Sequence, residues 1–363
     1  MKSRCDVLVL GASYGSLLAT KLLLAGHDVR LVCLPAEAEL LNREGARVRM
    51  PAKGRDGLVE VRSRALAGKL VAGSPAEADP SAHDLVVLAM QEPQYAAPGV
   101  RELLGAIARA RLPCLSIMNM PPLPYLARIP GLALEPLRGC YTDAALWDGF
   151  DPACMTLCSP DPQAFRPAGE PPNVLQVSLP TNFKAARFPS EAHTALLRRL
   201  EADIEAARFE HGGERLELPV KLRVHESVFV PLAKWAMLIA GNYRCVSASG
   251  PRSIRDAVHG DPAAAREVYD WVVNLCLALG ASAQDLVPFE KYAAAAQNLA
   301  SPSSAARALY AGAVRIERVD RLVQAIGASR GMRLAALDEI VARVDAKLQE
   351  NRRALAQAQR TPA

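Results

Sequence analysis

From Gly11 to Ser16 the chain reads Gly-Ala-Ser-Tyr-Gly-Ser, a stretch of small residues that can bring backbone N–H groups close to a ligand. A turn of this kind at a helix N-terminus, helped by the helix dipole, holds an anionic pyrophosphate. The full dinucleotide pattern is Gly-x-Gly-x-x-Gly. Here Ser13 stands at the second glycine, and Gly15, the last glycine, comes one residue early. The second glycine lets the backbone approach phosphate closely. Ser13 therefore either donates its hydroxyl to a phosphate or, with Tyr14, crowds the site so that the cofactor is held differently or not at all. A third reading is a doubly wound sheet whose first turn is only a tight turn. The residues that choose between NAD and NADP usually end the next strand. That strand ends Val32-Cys33-Leu34-Pro35, without charge; Arg43, Arg47 and Arg49 lie within reach in sequence, although Arg on a polar segment is more often simply solvated.

The elements that must position this turn lie on either side of it. Residues 7–10 form a short apolar run ending at Gly11; Leu17, Leu18, Leu22 and Ala25 recur at helical spacing; Gly26 closes the helix; and 29–32 begin a second strand. Two further buried strands are predicted over 84–89 and 114–119, the latter ending in Asn119 and a Pro-rich turn. Ligands of open parallel sheets bind outside the carboxyl ends of such strands. Between 139 and 222 the spacing predicts strands over 155–158 and 174–179 and a helix over 193–209, an antiparallel extension of the first domain. From about Arg223 the texture turns to Ala/Leu-rich helices over 229–242, 253–258, 263–279, 290–299, 303–324 and 334–356. The expected fold class is α/β: an N-terminal Rossmann-like doubly wound sheet over 1–222, then an all-helical domain over 223–363.

A chain of 363 residues, half of them apolar, has room for two such cores. No apolar run is long enough to span a membrane, and the start MKSRCD leads into a strand without a secretory pattern. The net charge of +5 is spread along the chain, which argues against a nucleic-acid partner. The eight cysteines show neither CxxC nor Cys/His ligand spacing. They read as reduced thiols of a cytoplasmic protein, and no metal site is expected.

The order and spacing of these features resemble the ketopantoate reductase (2-dehydropantoate 2-reductase) family over nearly the whole chain. The segments that carry the resemblance are LLATKLLLAGHDVRLV followed by LLNREGARVR, then DLVVLAMQEPQY, LSIMNM, PLAKWAMLIAGN, and PSSAARALYAGAVRIERVDRLV before ASRGM. It implies a Rossmann domain joined to a helical domain like the C-terminal one of 6-phosphogluconate dehydrogenase. It also implies NADPH-dependent reduction of a 2-keto acid in the cleft between them, and a homodimer formed through the helical domain. The cofactor is accordingly expected to be NADP or NAD, with NADP favoured by the resemblance, and the partner a small anionic substrate.

Carried over by position, the resemblance makes Lys234 the catalytic lysine and Asn242 the second of two helix asparagines, the first being replaced by Leu238. Gly11, Ser13, Tyr14 and Gly15 fall in the cofactor turn, and Asn119 falls beside the nicotinamide. Gln91 stands where a lysine lines the cofactor cleft, and Leu34 where an arginine selects NADP. Ser303 or Ser304 matches the substrate-binding serine, and Arg315 replaces the glutamate that holds the substrate hydroxyl, with Glu317 two residues on.

Reducing a carbonyl requires a hydride and a proton for the developing alkoxide. A lysine in the apolar context Leu-Ala-Lys-Trp-Ala-Met loses ammonium stability by desolvation and becomes a better general acid; the alternative is a lysine that packs its stem and sends its head to water. Lys234 and Asn242 face directions about 80° apart on a regular helix, so both can border one cleft. Arg315 either binds a second anionic group on the substrate or belongs to a solvated stripe with Glu317, Arg318, Asp320 and Arg321. Two rival functions are an opine-type dehydrogenase, which lacks its expected catalytic His here, and a catalytically silent ligand-binding or sensor protein.

Overall fold

The computed structural model describes residues 4–360; the first three residues of the MKSRCD start and the last three of the C-terminal tail lie outside them. The chain forms two compact units. The first takes the residues up to Met90, Gln94–Arg128 and Ala145–Pro231; the second takes Gln91–Pro93, Ile129–Ala144 and everything from Leu232.

The first unit is built on eight strands: β1 Asp6–Leu10, β2 Asp28–Val32, β3 Leu70–Gly73, β4 Leu85–Leu88, β5 Cys114–Ile117, β6 Met155–Ser159, β7 Phe183–Ala186 and β8 Leu222–His225. Their order is β8-β7-β6-β5-β4-β1-β2-β3. The run from β3 through β1 to β6 is wholly parallel, the 3-2-1-4-5-6 order of dinucleotide-binding sheets. β1, β4 and β5 read as continuous apolar runs because both faces are covered: Val7 to Leu10, Leu85 to Leu88 and Cys114 to Ile117 are buried. Within this sheet the extension is antiparallel where β7 meets β6; β8 then runs parallel to β7. The helix expected over 193–209 runs from Glu191 to Ala206, capped by Ser190, and Phe209 instead opens a hairpin with Glu214–Leu216.

A second sheet of four strands joins Leu58–Arg62, Arg47–Pro51, Val174–Leu179 and Gln163–Phe165. It accounts for two arginines near the selectivity position. Arg47 and Arg49 both hold Glu60, and Arg49 also reaches Glu170; Arg43 pairs with Glu44.

Lys21, on the helix Gly15–Leu24, is buried, and its Nζ donates to the carbonyls of Leu218 (3.2 Å) and Pro219 (2.9 Å). It fastens the segment in which Val220 takes φ 63°, a left-handed conformation unfavourable for a β-branched residue. Burial, with Lys221 nearby, pushes the Lys21 ammonium from an ordinary 10.5 down to about 7. Between those values the unfolded chain binds the proton that the folded one has released, so stability rises with pH across that window. Urea unfolding at about pH 7.5 and about pH 9.5 should show this rise, on the order of a few kcal/mol in total. Lys21→Met should remove most of it; an unchanged pH slope in that variant would rule out Lys21 as the source.

Among the described residues the second unit is helical apart from a short hairpin, Val246–Ser247 with Gly250–Pro251. Its longer helices are Pro262–Ala278, Val319–Ser329 and Ala335–Ala358. Two predicted helices are corrected. The one over 303–324 is two, Ser304–Tyr310 and Val319–Ser329, because Gly312 at φ 92° stops the first in the usual left-handed manner. The one over 229–242 is a composite: a 3-10 turn Pro231–Ala233, a single α turn Lys234–Met237 and a π segment Leu238–Asn242. None of the described helices is long and apolar enough to cross a membrane.

Candidate functional site

In the first unit the strand order reverses between β1 and β4, and the glycine turn follows β1 at that switch point. Gly11 has φ 107°, and its N–H donates to Val32 O at 2.9 Å. A Cβ on Gly11 would lie 2.6 Å from Met90 Cγ and 2.7 Å from the Ala89 carbonyl oxygen. One on Gly15 would lie 2.6 Å from Val9 Cγ1. Despite the shifted spacing, Gly11 makes the tight turn and Gly15 allows helix–strand packing, two of the three jobs of the full pattern.

Ser13 occupies the remaining position with its side chain exposed. Tyr14 turns inward: its hydroxyl donates to Pro162 O at 2.5 Å and its ring meets Phe183 edge-on. The helix that starts at Gly15 has no side-chain cap and no acidic residue in its first turn. Uncapped N–H groups, two glycines that admit no Cβ and an outward Ser13 fit an anionic pyrophosphate. At the end of β2, Leu34 is 70 % exposed; the nearby carboxylate, Glu37, is held by Arg166 at 2.5 Å. Asn119 is half-buried just beyond β5, and Gln91 is exposed just beyond β4, on the short stretch that packs with the second unit.

In the second unit, Lys234 and Asn242 stand at the two ends of the α–π composite, both half-buried. Ser303 is buried: its Oγ donates to Asn242 O (2.7 Å) and accepts from Ala306 N (3.2 Å), capping the helix Ser304–Tyr310. Ser304 beside it is exposed. The charged stripe, one of the two readings of Arg315, does not exist as one surface. Arg315 is exposed in the link between two helices and makes no hydrogen bond or ion pair among the described residues. Glu317, Arg318 and Asp320 are buried.

Sequence reasoning missed what holds Glu317. Its Oε1 accepts from Glu92 N at 3.2 Å, and its carbonyl accepts from the Tyr243 hydroxyl at 2.5 Å, which in turn accepts from Val319 N. The Glu92 carboxylate accepts from Thr142 N and Oγ1, both at 2.9 Å, and burial pushes its pKa up. Glu92 follows an apolar strand as one acid among polar residues, and no local signal marks it as buried.

No protein-family model matches the chain, and no curated protein matches it. Solved structures do. A protein of Ralstonia solanacearum classed with the ketopantoate reductases aligns at TM-score 0.67 and 16% identity over 96% of this chain and 99% of its own. D-mandelate dehydrogenase in complex with NADH and anilino(oxo)acetate aligns at 0.61 and 13%, over 96% and 99%. A dimeric ketopantoate reductase from Staphylococcus aureus aligns at 0.59 and 10%, over 95% and 99%. At these identities the likeness is one of fold, and it extends over nearly the full length of each partner. The chain thus has the ketopantoate reductase fold, a Rossmann unit and a helical unit in one polypeptide, in a form far diverged in sequence.

Proposed function

We propose that this protein is an NAD(P)-dependent oxidoreductase that reduces a 2-keto acid, or a related imine, to the corresponding 2-hydroxy acid or amine. The observation that carries the reading is the turn at the β1–β4 switch point, where Gly11 and Gly15 keep their roles and the helix N-terminus is left uncapped. Neighbours that are reductases and a dehydrogenase of mandelate, itself a 2-hydroxy acid, support it.

In this reading cofactor binding falls to Gly11, Ser13, the Tyr14 backbone and Gly15, with Gln91 and Asn119 just beyond β4 and β5. A bound reduced nicotinamide supplies the hydride. Lys234 donates the proton to the substrate oxygen and stabilises the negative charge developing there, while Asn242 hydrogen-bonds the same polar group. Since the Ser303 hydroxyl is engaged in capping, the substrate contact of that pair falls to Ser304. A homodimer through the helical unit and a cytoplasmic location complete the proposal.

Calorimetric titration of NADPH and NADH tests the reading. Micromolar to sub-millimolar binding of either is expected, and no binding at millimolar concentration leaves a silent fold. Ser13→Gly should tighten binding if the side chain crowds phosphate; weaker binding in that variant makes the hydroxyl a phosphate ligand.

Arg315, exposed and unpaired among the described residues, sets substrate choice in this reading, favouring keto acids with a second anionic group. A lost bidentate contact costs on the order of 2–3 kcal/mol, so Arg315→Ala should cut kcat/KM for dicarboxylic keto acids roughly 30- to 100-fold and spare monocarboxylic ones. An unchanged ranking removes Arg315 from the site.

A further inference from the structure

The helix that carries Lys234 is interrupted in a way that bears on Lys234 itself. From Leu238 to Asn242 the backbone is a π turn, and such turns concentrate at functional sites. In an unbroken α-helix Lys234 and Asn242 would face about 80° apart. A five-residue π segment at about 4.4 residues per turn reduces that angle to roughly 10°. Burial shows the same rephasing: between Lys234 and Asn242 the half-buried positions are Lys234, Met237 and Asn242, while Leu238 to Gly241 are all buried. The open face steps by three and then by five residues, where an α-helix would step by three and then four.

What holds the π turn comes from another helix. Tyr292, on Phe289–Ala296, is buried and donates its hydroxyl to the Met237 carbonyl at 3.1 Å. It reaches that carbonyl only because residue 241 is glycine: a Cβ there would lie 1.8 Å from the Tyr292 hydroxyl oxygen. From the other end, Ser303 Oγ donates to Asn242 O at 2.7 Å.

The geometry points to Tyr292, seated against Gly241, as a positioning residue that sustains the π turn and so brings Asn242 onto the face of Lys234. This rests on the reduction proposed above, with Lys234 as proton donor. Tyr292 touches no reacting atom; it acts through the helix.

Gly241→Ala, Tyr292→Phe, the double variant and Asn242→Ala test it, each checked for an unchanged thermal unfolding midpoint. Gly241→Ala should lower kcat about 30-fold or more with the KM for dinucleotide within twofold, because the new methyl and the Tyr292 hydroxyl exclude each other. Tyr292→Phe should lower kcat several-fold. In the double variant the 1.8 Å contact is removed, leaving tight ones of 3.2 Å to the ring Cζ and 3.3 Å to Ile254 Cγ2, so kcat should recover most of the way to the Tyr292→Phe level. Multiplicative losses would overturn the pairing.

A second readout needs no substrate: the titration midpoint of Lys234, followed by NMR of 13C-labelled lysine and assigned with Lys234→Arg. Asn242→Ala and Gly241→Ala should shift it in the same direction by a few tenths of a pH unit or more, and the double variant should restore it. A midpoint unmoved by all three overturns the alignment even in an active enzyme. Shifted midpoints in a protein that reduces no 2-keto acid sustain the alignment and defeat the reductase reading instead.

Discussion

Lys234→Ala is expected to lower turnover by roughly two to four orders of magnitude while dinucleotide affinity stays within a few-fold. The ammonium gains most when negative charge develops on the substrate oxygen, a charge present neither in bound cofactor nor in the ground-state carbonyl, so the loss should fall on kcat rather than on binding. Trp235 and Ala236 beside it are buried, so little bulk solvent reaches one side of the group to substitute for it. Lys234→Arg should rescue little: a guanidinium keeps the charge but gives up its proton too reluctantly at neutral pH. Steady-state and single-turnover reduction separate the two effects. Activity within tenfold of wild type in the alanine variant would show that this lysine is not the proton donor.

The largest effect on stability is expected at Asp320. Its carboxylate is fully buried and takes a bidentate contact from Arg318, Nε to Oδ1 at 2.9 Å and Nη2 to Oδ2 at 2.8 Å. Arg318, itself buried, reaches on to Asp345, which also holds Arg321 at 2.9 Å. These carboxylates hold the guanidinium more firmly charged than usual against the opposing effect of burial. Asp320→Ala leaves that charge in the interior with one partner fewer, a change that typically costs about 3–5 kcal/mol. Replacing both members by apolar residues, Arg318→Met with Asp320→Leu, should cost clearly less than the single change, because no unpaired ion remains. Urea unfolding of the three proteins decides it. A single-variant loss below about 1 kcal/mol would show that the pair is not what holds this region.

The Rossmann unit was readable because its signals are local. Four apolar residues ending at Gly11, a helical repeat after it and a closing Gly26 each fix their own element, and the structure puts β1, the helix and β2 where those residues imply. The helical unit was readable as helices but not in its interruptions. Gly312 was a stop signal set inside an otherwise continuous helical repeat. The π turn has no local mark at all, since the hydroxyl that takes the Met237 carbonyl comes from Tyr292 on a separate helix. The charges from Arg315 to Arg321 read as one solvated stripe because Asp345, which holds Arg318 and Arg321, lies on yet another helix. The same distance in sequence hid Glu92, whose backbone holds Glu317.

That last contact has a consequence for how the chain is made. Glu92 meets a partner 225 residues further along, and the Arg330 guanidinium donates to Gly131 O from 199 residues away. During synthesis, residues 91–93 and 129–144 leave the ribosome long before the helices they pack with exist, so this part of the molecule must wait for the residues around Glu317 and Arg330 before it closes. Expressed without those two early pieces, residues 232–363 should emerge with the Glu317 carboxylate deprived of its contact from Glu92 N and with Gly131 O absent for Arg330, a fragment expected to aggregate more readily than the full chain.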